Sequence, residues 1–470
     1  MQKRNLVIIG AGPAGMAAAA RAAGLGLSVT LLDEQPTPGG QIYRNVTNVT
    51  SQRGTLLGSD YLYGRSLATA LNKDNIEHCC NAVVWSIEEG HRISYTRDGR
   101  ATQLQTDYLL LATGALERPM PIPGWTLPGV MTAGAGQILL KQSGVVARSA
   151  VLVGSGPLLY LVAAQMIRAG RPPRALIETQ TRSDLRRAMR HWTGALKGWR
   201  YPVKGLKMLL EIRRAGVPRH TAATHLAIEG TDKARAITFQ SHGREHRIEC
   251  DTVMLHHGVV PNTQAARAMD LPHDWSDQQH CFIPRLDEWG QGDVEGVFVA
   301  GDGAGIGGAR VAELGGHLAA LQIAHLSNRL DRQQRDQLAA TLRAQRDREL
   351  DARPFLDAAY PPCAQALRPA DTTLACRCEE VTAGDIRTYA RLGCRGPNQL
   401  KAFTRAGMGQ CQGRYCGLTV TSILAEANDM TPDDTGYYRI RTPIKPVSLG
   451  ELATMNEPVT TETVTGDQHD

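Results

Sequence analysis

The sequence has little of several features that would place it in a narrow class. Trp, Tyr and Phe make up only 5% of its 470 residues, which argues against an aromatic-rich all-β core. Ten cysteines, unevenly spaced, are too few for the disulfide framework of a small secreted scaffold. A net charge of +6 over this length is too dilute to predict nucleic-acid binding. The length itself predicts about three domains.

Long uncharged runs are also scarce, and two of them imitate membrane signals. Lys3 and Arg4 precede the apolar run NLVIIGAGPAGMAAAA, and residues 149–167 carry no charged side chain except at the very end of the following helix, a length typical of a bilayer span. Each run nevertheless reads as a strand, a Gly-x-Gly turn and a helix. We therefore expect no transmembrane segment and a cytoplasmic protein.

Glycine is abundant instead, with 48 residues, and its first concentration follows a short apolar strand. Residues 6–10, LVIIG, predict a buried strand, and the helix-forming run AGMAAAARAAGLG follows the turn GAGPAG. In such a turn the first glycine permits a tight bend, the second lets the backbone approach a pyrophosphate, and the third lets helix and strand pack closely. The helix N-terminus then offers unpaired N–H groups to the phosphates. The predicted binding residues of this turn are Gly10, Gly12, Pro13, Ala14 and Gly15.

An acidic residue follows the second predicted strand, SVTLLD. A carboxylate at this point accepts hydrogen bonds from the adenosine ribose of a bound dinucleotide. Both Asp33 and Glu34 are candidates, and Asp33 is the better placed because Glu34 lies one step further on. Strand, loop, helix, strand and acid thus come in the order of a dinucleotide-binding unit.

A second turn of the same kind begins at VLVGSGPLLYLVAAQMIRAG. It contains Gly154, Ser155 and Gly156, but Leu159 stands where the third glycine would be, and the following strand RALIE ends in Glu178. The sequence predicts a second nucleotide-binding fold here. Whether it holds NAD(P)H, holds another adenine nucleotide or survives only as structure stays open.

Two further loops follow apolar strands. The run YLLLATG ends in Thr113 and Gly114, and GVFVAGDGAGIGG places Gly301 and Asp302 in a glycine-rich loop before another helix. Together with the two turns, these motifs resemble the flavoproteins with two dinucleotide-binding domains, such as thioredoxin and glutathione reductases. The resemblance covers roughly residues 1–330.

The resemblance implies an α/β fold with two Rossmann-like domains. It assigns the first turn, the acid after the second strand and Asp302 to FAD, and it brings PGGQIYR, with Gly39, Gly40 and Gln41, close to the flavin. One departure matters. No CxxC or CxxxxC occurs in residues 1–330, so the redox cysteine pair of the disulfide reductases is missing and that activity is not expected.

Four cysteines near the C-terminus form two pairs, Cys376 with Cys378 and Cys411 with Cys416. Zinc is one possible occupant, but its ligands usually stand two to four residues apart. Thiolates equally suit an iron–sulfur cluster, and the glycines of GMGQCQGRYCG let backbone N–H groups approach the sulfurs. The stretch from Cys376 to Cys416 resembles the bacterioferritin-associated ferredoxin-like 2Fe–2S domain. Cys394, between the pairs, is most simply a buried residue.

The fusion of these parts resembles the alpha, FAD-containing subunits of heteromeric amine and imino-acid dehydrogenases, a family that includes hydroxyproline dehydrogenases, opine (octopine or nopaline) oxidases and the HcnB-type component of hydrogen cyanide synthase. The resemblance implies an electron-transfer subunit with FAD and a 2Fe–2S cluster. It also implies a catalytic beta subunit of the D-amino-acid-oxidase type with its own flavin, a small ferredoxin-like subunit and a quinone or respiratory acceptor. It identifies no catalytic residue in this chain.

These expectations divide the chain into five parts: an FAD-binding domain (1–140 and 265–330), an NAD(P)-like domain (141–264), a helical linker (331–369), a small, mainly helical 2Fe–2S domain (370–430) and a C-terminal extension and tail (431–470). Two other functions stay open. One is a stand-alone NAD(P)H-dependent flavin reductase, and the other is a non-catalytic sensor or scaffold with a four-cysteine zinc site.

A basic run, residues 182–214, stands apart from these motifs. It holds ten Lys or Arg and two Asp or Glu, interleaved with Trp192, Trp199 and Tyr201. A solvated helical hairpin or a docking face is the favoured interpretation, and nucleic acid is not. The implied complex could bring the chain to the inner face of the membrane. The polar stretch after about residue 455 predicts a disordered tail.

Overall fold

The computed structural model describes residues 3–456, so the predicted tail lies almost wholly outside the described residues. The N-terminal segment opens with the predicted apolar strand, the glycine turn and a helix. Its strands are β1 (Lys3–Ile9), β2 (Val29–Leu32), β3 (Ile76–Cys79), β4 (Val83–Glu88), β5 (Arg92–Arg97), β6 (Arg100–Leu111), β7 (Ala115–Glu117) and β8 (Val130–Thr132). Its helices are α1 (Pro13–Gly24), α2 (Ser51–Leu57), α3 (Ser59–Leu62), α4 (Gly64–Thr69) and α5 (Ala133–Ser143).

The middle segment repeats the strand–turn–helix pattern, so the uncharged run 149–167 forms a strand and a helix. Its strands are β9 (Ala150–Gly154), β10 (Ala175–Glu178), β11 (Arg219–His220), β12 (Thr224–Glu229), β13 (Ala236–Ser241), β14 (Arg244–Glu249) and β15 (Thr252–His256). Its helices are α6 (Pro157–Arg168), α7 (Arg182–Ala188), α8 (Trp192–Lys197) and α9 (Arg200–Arg214), with a 3₁₀ turn at Met189–His191.

The chain then returns to the first segment. The returning strands are β16 (Val259–Pro261), β17 (His273–Ser276), β18 (Cys281–Pro284) and β19 (Val297–Val299), and the helices are α10 (Gln264–Ala268) and α11 (Ala309–Leu326), with a 3₁₀ turn at Gly301–Ala304. Helix α11 packs closely on α1: a Cβ at Gly316 would fall 2.1 Å from the Ala14 carbonyl oxygen.

The remaining residues are mainly helical. They form α12 (Arg332–Leu350), α13 (Arg353–Ala359), α14 (Ala364–Leu367), β20 (Leu374–Cys376), β21 (Val381–Thr382), α15 (Ala383–Arg391), α16 (Pro397–Thr404), α17 (Gly417–Ala427), α18 (Pro432–Thr435), α19 (Leu449–Ala453) and a final 3₁₀ turn at Thr454–Asn456. Capping boxes start α12 at Asp331 and α15 at Thr382.

Two sheets carry the glycine turns. The first runs in the order β3-β2-β1-β6-β5-β4, with β19 beside β6. In it β3, β2, β1, β6 and β19 are parallel, so their carboxyl ends share one edge. The second sheet, β11-β10-β9-β15-β8, is wholly parallel. In an open α/β sheet, ligands bind at that carboxyl edge.

The C-terminal segment folds back on the first sheet. The Ile444 N–H donates to the Trp85 carbonyl at 2.7 Å, on β4, and the Ala101 N–H donates to the Thr454 hydroxyl at 2.9 Å. The Lys445 ammonium pairs with Glu34. None of the helices in residues 3–456 combines the length and the apolar character needed to cross a bilayer.

Candidate functional site

The first glycine turn lies at the carboxyl edge of the first sheet and is closed by backbone contacts. A Cβ at Gly10 would fall 2.4 Å from the Ala112 carbonyl oxygen, and a Cβ at Gly15 would fall 1.9 Å from the Gly10 carbonyl oxygen. A Cβ at Gly12 would meet nothing nearer than the Gly40 Cα at 3.9 Å. The side of the turn at Gly12 is therefore open, and α1 begins there with no side-chain cap. This cradle fits a pyrophosphate.

The carboxylate of Asp33 braces this turn from beneath. One oxygen accepts from the Ala11 N–H at 2.5 Å, and the other accepts from the Gln35 N–H at 2.7 Å. Burial raises the pKa of Asp33, and the two backbone hydrogen bonds oppose that rise. Glu34 is the more accessible acid at this position, and it pairs with Lys445 of the C-terminal segment.

The other predicted residues of the first site gather round the same edge. The Gly39 N–H donates to the Ala11 carbonyl at 2.8 Å, and a Cβ at Gly40 would lie 2.9 Å from the Gly12 Cα. Asp302 accepts from the Gly307 and Gly308 N–H groups at 3.0 and 2.9 Å. The segments with Gly39, Thr113 and Asp302 thus converge on the turn, although they are distant in sequence.

A buried lysine near this site was missed at the sequence level. The Lys141 ammonium, on α5, donates to the Gln41 carbonyl at 3.0 Å and to the Gln137 side chain at 2.8 Å. Gln137 in turn donates to Gln165 of α6 at 2.8 Å. Burial, followed by repulsion from Arg44, lowers the pKa of Lys141 to about 7. This contact joins the first predicted site to the second fold.

The second glycine turn is backed by a histidine. A Cβ at Gly154 would fall 1.7 Å from the His256 carbonyl oxygen, and a Cβ at Gly156 would lie 3.0 Å from the His256 ring nitrogen Nε2. His256 is itself held by Glu117, whose Oε1 lies 2.6 Å from Nδ1. Leu159, in place of the third glycine, is buried in the core between α6 and the second sheet.

The strand-end acid of the second fold is fully engaged by side chains. Glu178 is completely buried, forms a salt bridge to Arg219 at 2.8 Å and accepts from the Tyr160 hydroxyl at 2.5 Å. Gln180 donates to it at 2.7 Å. Burial and the charge of Glu178 raise the pKa of Tyr160. The carboxylate therefore serves an internal network.

The four predicted cysteines come together, and all are free thiols. Hydrogen bonding from Cys416 lowers the pKa of Cys376 to about 6 and that of Cys411 to about 5, and Cys378 also contacts Cys411. Hydrogen bonds to Cys376 and Cys411, together with burial, raise the pKa of Cys416. Cys394 is buried and separate, as expected.

Backbone N–H groups surround these sulfurs. Those of Gly407, Glu379 and Cys378 point to Cys376, and those of Tyr415 and Gly413 point to Cys411. A Cβ at Gly409 would fall 2.4 Å from the Cys378 Cβ, so glycine is required for this approach. Such donors favour thiolates, the form that binds metal.

Three or more His, Cys, Asp or Glu side chains do not converge on a single metal position anywhere in residues 3–456. A tetrahedral zinc site needs four donors around one ion. A 2Fe–2S cluster takes two thiolates on each of its irons. Two pairs of sulfurs therefore fit a binuclear cluster better than a single ion.

A short chain of contacts links the two sites. The Thr113 hydroxyl donates to the Asn262 carbonyl at 3.0 Å, and the Gln264 side chain donates to the Gln412 carbonyl, beside Cys411, at 3.0 Å. The guanidinium of Arg267 stacks between the rings of Phe282 and Tyr437, at 4.8 and 4.4 Å. The loop after β16 thus contacts both predicted sites.

The comparisons with known proteins agree with this architecture. The pyridine nucleotide-disulphide oxidoreductase family matches residues 4–317, and the sarcosine oxidase A3 domain matches residues 373–455. The chain is 44% identical over 459 residues to the A subunit of the opine oxidase of Rhizobium meliloti (strain 1021), covering 97% of this chain and 99% of that protein.

Two further proteins are similar over nearly the whole chain. The HcnB subunit of the hydrogen cyanide synthase of Pseudomonas aeruginosa is 32% identical over 468 residues, covering 94% of this chain and 96% of that protein. The crystal structure of L-proline dehydrogenase from P. horikoshii superimposes with a TM-score of 0.70 at 18% identity, covering 96% of this chain and 80% of that one. This last similarity shows a shared fold.

Proposed function

Because the chain belongs to the family of opine oxidase A subunits, within the pyridine nucleotide-disulphide oxidoreductases, we propose that it is the electron-transfer subunit of a heteromeric dehydrogenase acting on an amino acid, imino acid or opine. It is a flavin-dependent oxidoreductase subunit and works with a partner subunit. The observation that carries the relay is the four-cysteine group joined to a dinucleotide-binding fold with no redox cysteine pair.

FAD fits the first site. The open side at Gly12 and the N-terminus of α1 would hold the pyrophosphate, and the segments with Gly39 and Asp302 would lie along the rest of the cofactor. We assign the ribose contact to Glu34, because both carboxylate oxygens of Asp33 already accept backbone hydrogen bonds. Glu34→Ala should then weaken FAD binding without disturbing the turn.

A 2Fe–2S cluster fits the cysteine group. Cys376, Cys378, Cys411 and Cys416 would supply its ligands, and the surrounding N–H groups would tune its reduction potential. The flavin would accept and release electrons singly or in pairs, and the cluster would carry them one at a time. The loop from Asn262 to Gln264 supports this division of work, since it contacts both Thr113 and Gln412.

The substrate would be oxidised elsewhere. We propose a catalytic beta subunit of the D-amino-acid-oxidase type with its own flavin, a small ferredoxin-like subunit, and a quinone or respiratory carrier as final acceptor. We also propose that residues 1–140 with 265–330, 141–264 and 370–430 act as FAD-binding, nucleotide-binding and cluster-binding domains. Full dye-linked substrate oxidation by this chain without partners would refute the relay.

The decisive experiment is a cysteine substitution series on the purified chain. Cys378→Ser or Cys411→Ser should remove iron and the visible absorbance of the cluster while the flavin stays bound. Cys394→Ser is the matched control, because Cys394 is a buried thiol in the same region, and it should retain both cofactors. Zinc without iron in the wild-type chain would remove the relay and favour the scaffold alternative.

The second fold keeps the reductase alternative testable. The Ser155 hydroxyl is buried at the N-terminus of α6 and has no hydrogen-bond partner within the described residues, so a nucleotide phosphate there would satisfy it. The engagement of Glu178 by Arg219 nevertheless argues against ribose recognition by that acid. Anaerobic NADH or NADPH should leave the flavin oxidised; rapid bleaching would instead support a stand-alone reductase.

A further inference from the structure

Eight large apolar side chains of the basic run are exposed to solvent along helices α7, α8 and α9. They recur mostly at intervals of three and four residues, which places them on one helical face. We call this face the apolar stripe, and it consists of Leu185, Met189, Trp192, Leu196, Trp199, Val203, Leu206 and Leu210.

The opposite face of these helices is anchored to the protein. Ala188, Met208 and Ile212 are buried. A Cβ at Gly194 would fall 2.1 Å from the Asp351 carbonyl oxygen, and a Cβ at Gly198 would fall 2.5 Å from the Ala352 Cβ. The helices therefore cannot turn the stripe inward without losing this packing. An apolar surface held outward in this way marks an interaction site.

Positive charge borders the stripe. Residues 182–214 carry a net charge of +8, so the remainder of the chain sums to −2. Arg186, Arg190 and Lys207 are exposed beside the stripe, while Lys204 pairs with Asp60 at 2.5 Å. The charge is thus concentrated on the same helices as the exposed apolar groups, and it repels a second copy of that face.

We propose that the apolar stripe and its basic border dock the protein on an anionic phospholipid bilayer. An amphipathic helix with Trp and Leu on one face and Lys or Arg beside them lies in the plane of the membrane interface, where Trp is enriched. Basic residues near the surface are attracted to anionic headgroups. Protein–protein interfaces, in contrast, are depleted in lysine. This surface goes beyond the proposed electron transfer and does not depend on it.

Flotation of the purified full chain with lipid vesicles tests the proposal. The wild-type chain should float with vesicles of phosphatidylcholine and phosphatidylglycerol, and at least tenfold less with vesicles of phosphatidylcholine alone. Leu196→Asp combined with Leu206→Asp should abolish flotation. Leu392→Asp is the matched control, since Leu392 is an exposed leucine outside the stripe, and it should float like the wild type. Bound flavin in each variant checks the fold.

A second measurement follows the tryptophans. Adding the anionic vesicles should shift the fluorescence of the wild-type chain to the blue, and Trp192→Phe combined with Trp199→Phe should reduce that shift by more than half. Failure to bind either vesicle, equal binding to both, or unchanged binding by the stripe variant would overturn the proposal. If the wild type ignores vesicles but the stripe variant no longer copurifies with its partner subunit, the stripe is a protein interface and the lipid proposal is wrong.

Discussion

The two glycine turns share a sequence pattern but differ in what surrounds them. In the first, Gly15 lets α1 close on the Gly10 carbonyl, and Asp33 braces the loop through its backbone. In the second, a buried leucine replaces the third glycine, and the strand-end acid Glu178 neutralises Arg219. The first turn keeps its open side for a ligand, whereas the second commits its strand-end acid to the protein itself. A nucleotide motif therefore describes a backbone shape, and its neighbours decide whether that shape still faces a ligand.

The largest expected effect comes from adding one methyl group to the first turn. Gly15→Ala should abolish flavin binding, because its Cβ would fall 1.9 Å from the Gly10 carbonyl oxygen. The matched change at the same place in the second turn, Leu159→Ala, should cost about 2–5 kcal/mol of stability through a cavity but leave the flavin bound. Flavin absorbance per chain measures both. A Gly15→Ala chain with a full complement of flavin would show that the two turns do not differ as described.

A smaller effect is expected from the acid of the second fold. Glu178→Gln removes the charge that Arg219 and Tyr160 contact, and breaking such a buried pair should lower the free energy of unfolding by about 3 kcal/mol. Glu249→Gln is the control, since that exposed carboxylate pairs with Arg247 at the surface and should cost less than about 1 kcal/mol. Denaturant titration measures both. Loss of flavin from Glu178→Gln would mean that the second network supports the first site.

The smallest effect concerns Lys141, where the two folds meet. Its pKa is lowered to about 7 in the folded chain from its usual 10.5, so the unfolded chain binds more protons between these values and stability rises with pH. Between pH 7 and pH 9 the gain should be about 2 kcal/mol.

Lys141→Met provides the contrast. It loses the hydrogen bonds to Gln41 and Gln137 at every pH, so it should lack the rise attributed to the lysine. Unfolding free energies of the two proteins at pH 7, 8 and 9 give the comparison. Parallel curves would show that the amine remains charged when folded.

The sequence predicted the parts of the fold that rest on local pattern. The turns at Gly10 and Gly154 and the gathering of four cysteines follow from short motifs whose spacing carries the geometry. The engagements that distinguish the two turns could not be predicted in this way. Arg219 meets Glu178 across 41 residues, and Lys141 meets Gln41 across 100. Neither pairing leaves a signal near its partner in sequence, because it arises only when sheets and helices pack.

The membrane-facing interpretation of residues 182–214 has the same origin. The sequence showed their charge and their tryptophans, but the choice between a solvated hairpin and a docking face depends on which side of each helix is buried. Gly194 and Gly198 mark the side that packs against the protein. Their role was not evident from the sequence, where two glycines in a basic stretch predict little.

The return of the C-terminal segment to the first sheet has a consequence for synthesis on the ribosome. Strand β4 gains its neighbour at Trp85 only when Ile444 has been made. At about 5–20 residues per second, the nascent chain would wait roughly 20–70 seconds with that strand edge exposed. During this interval a bare β-edge can pair with other chains. The late-arriving segment is thus a seal on the oldest part of the protein, and slow translation would lengthen its dependence on chaperones.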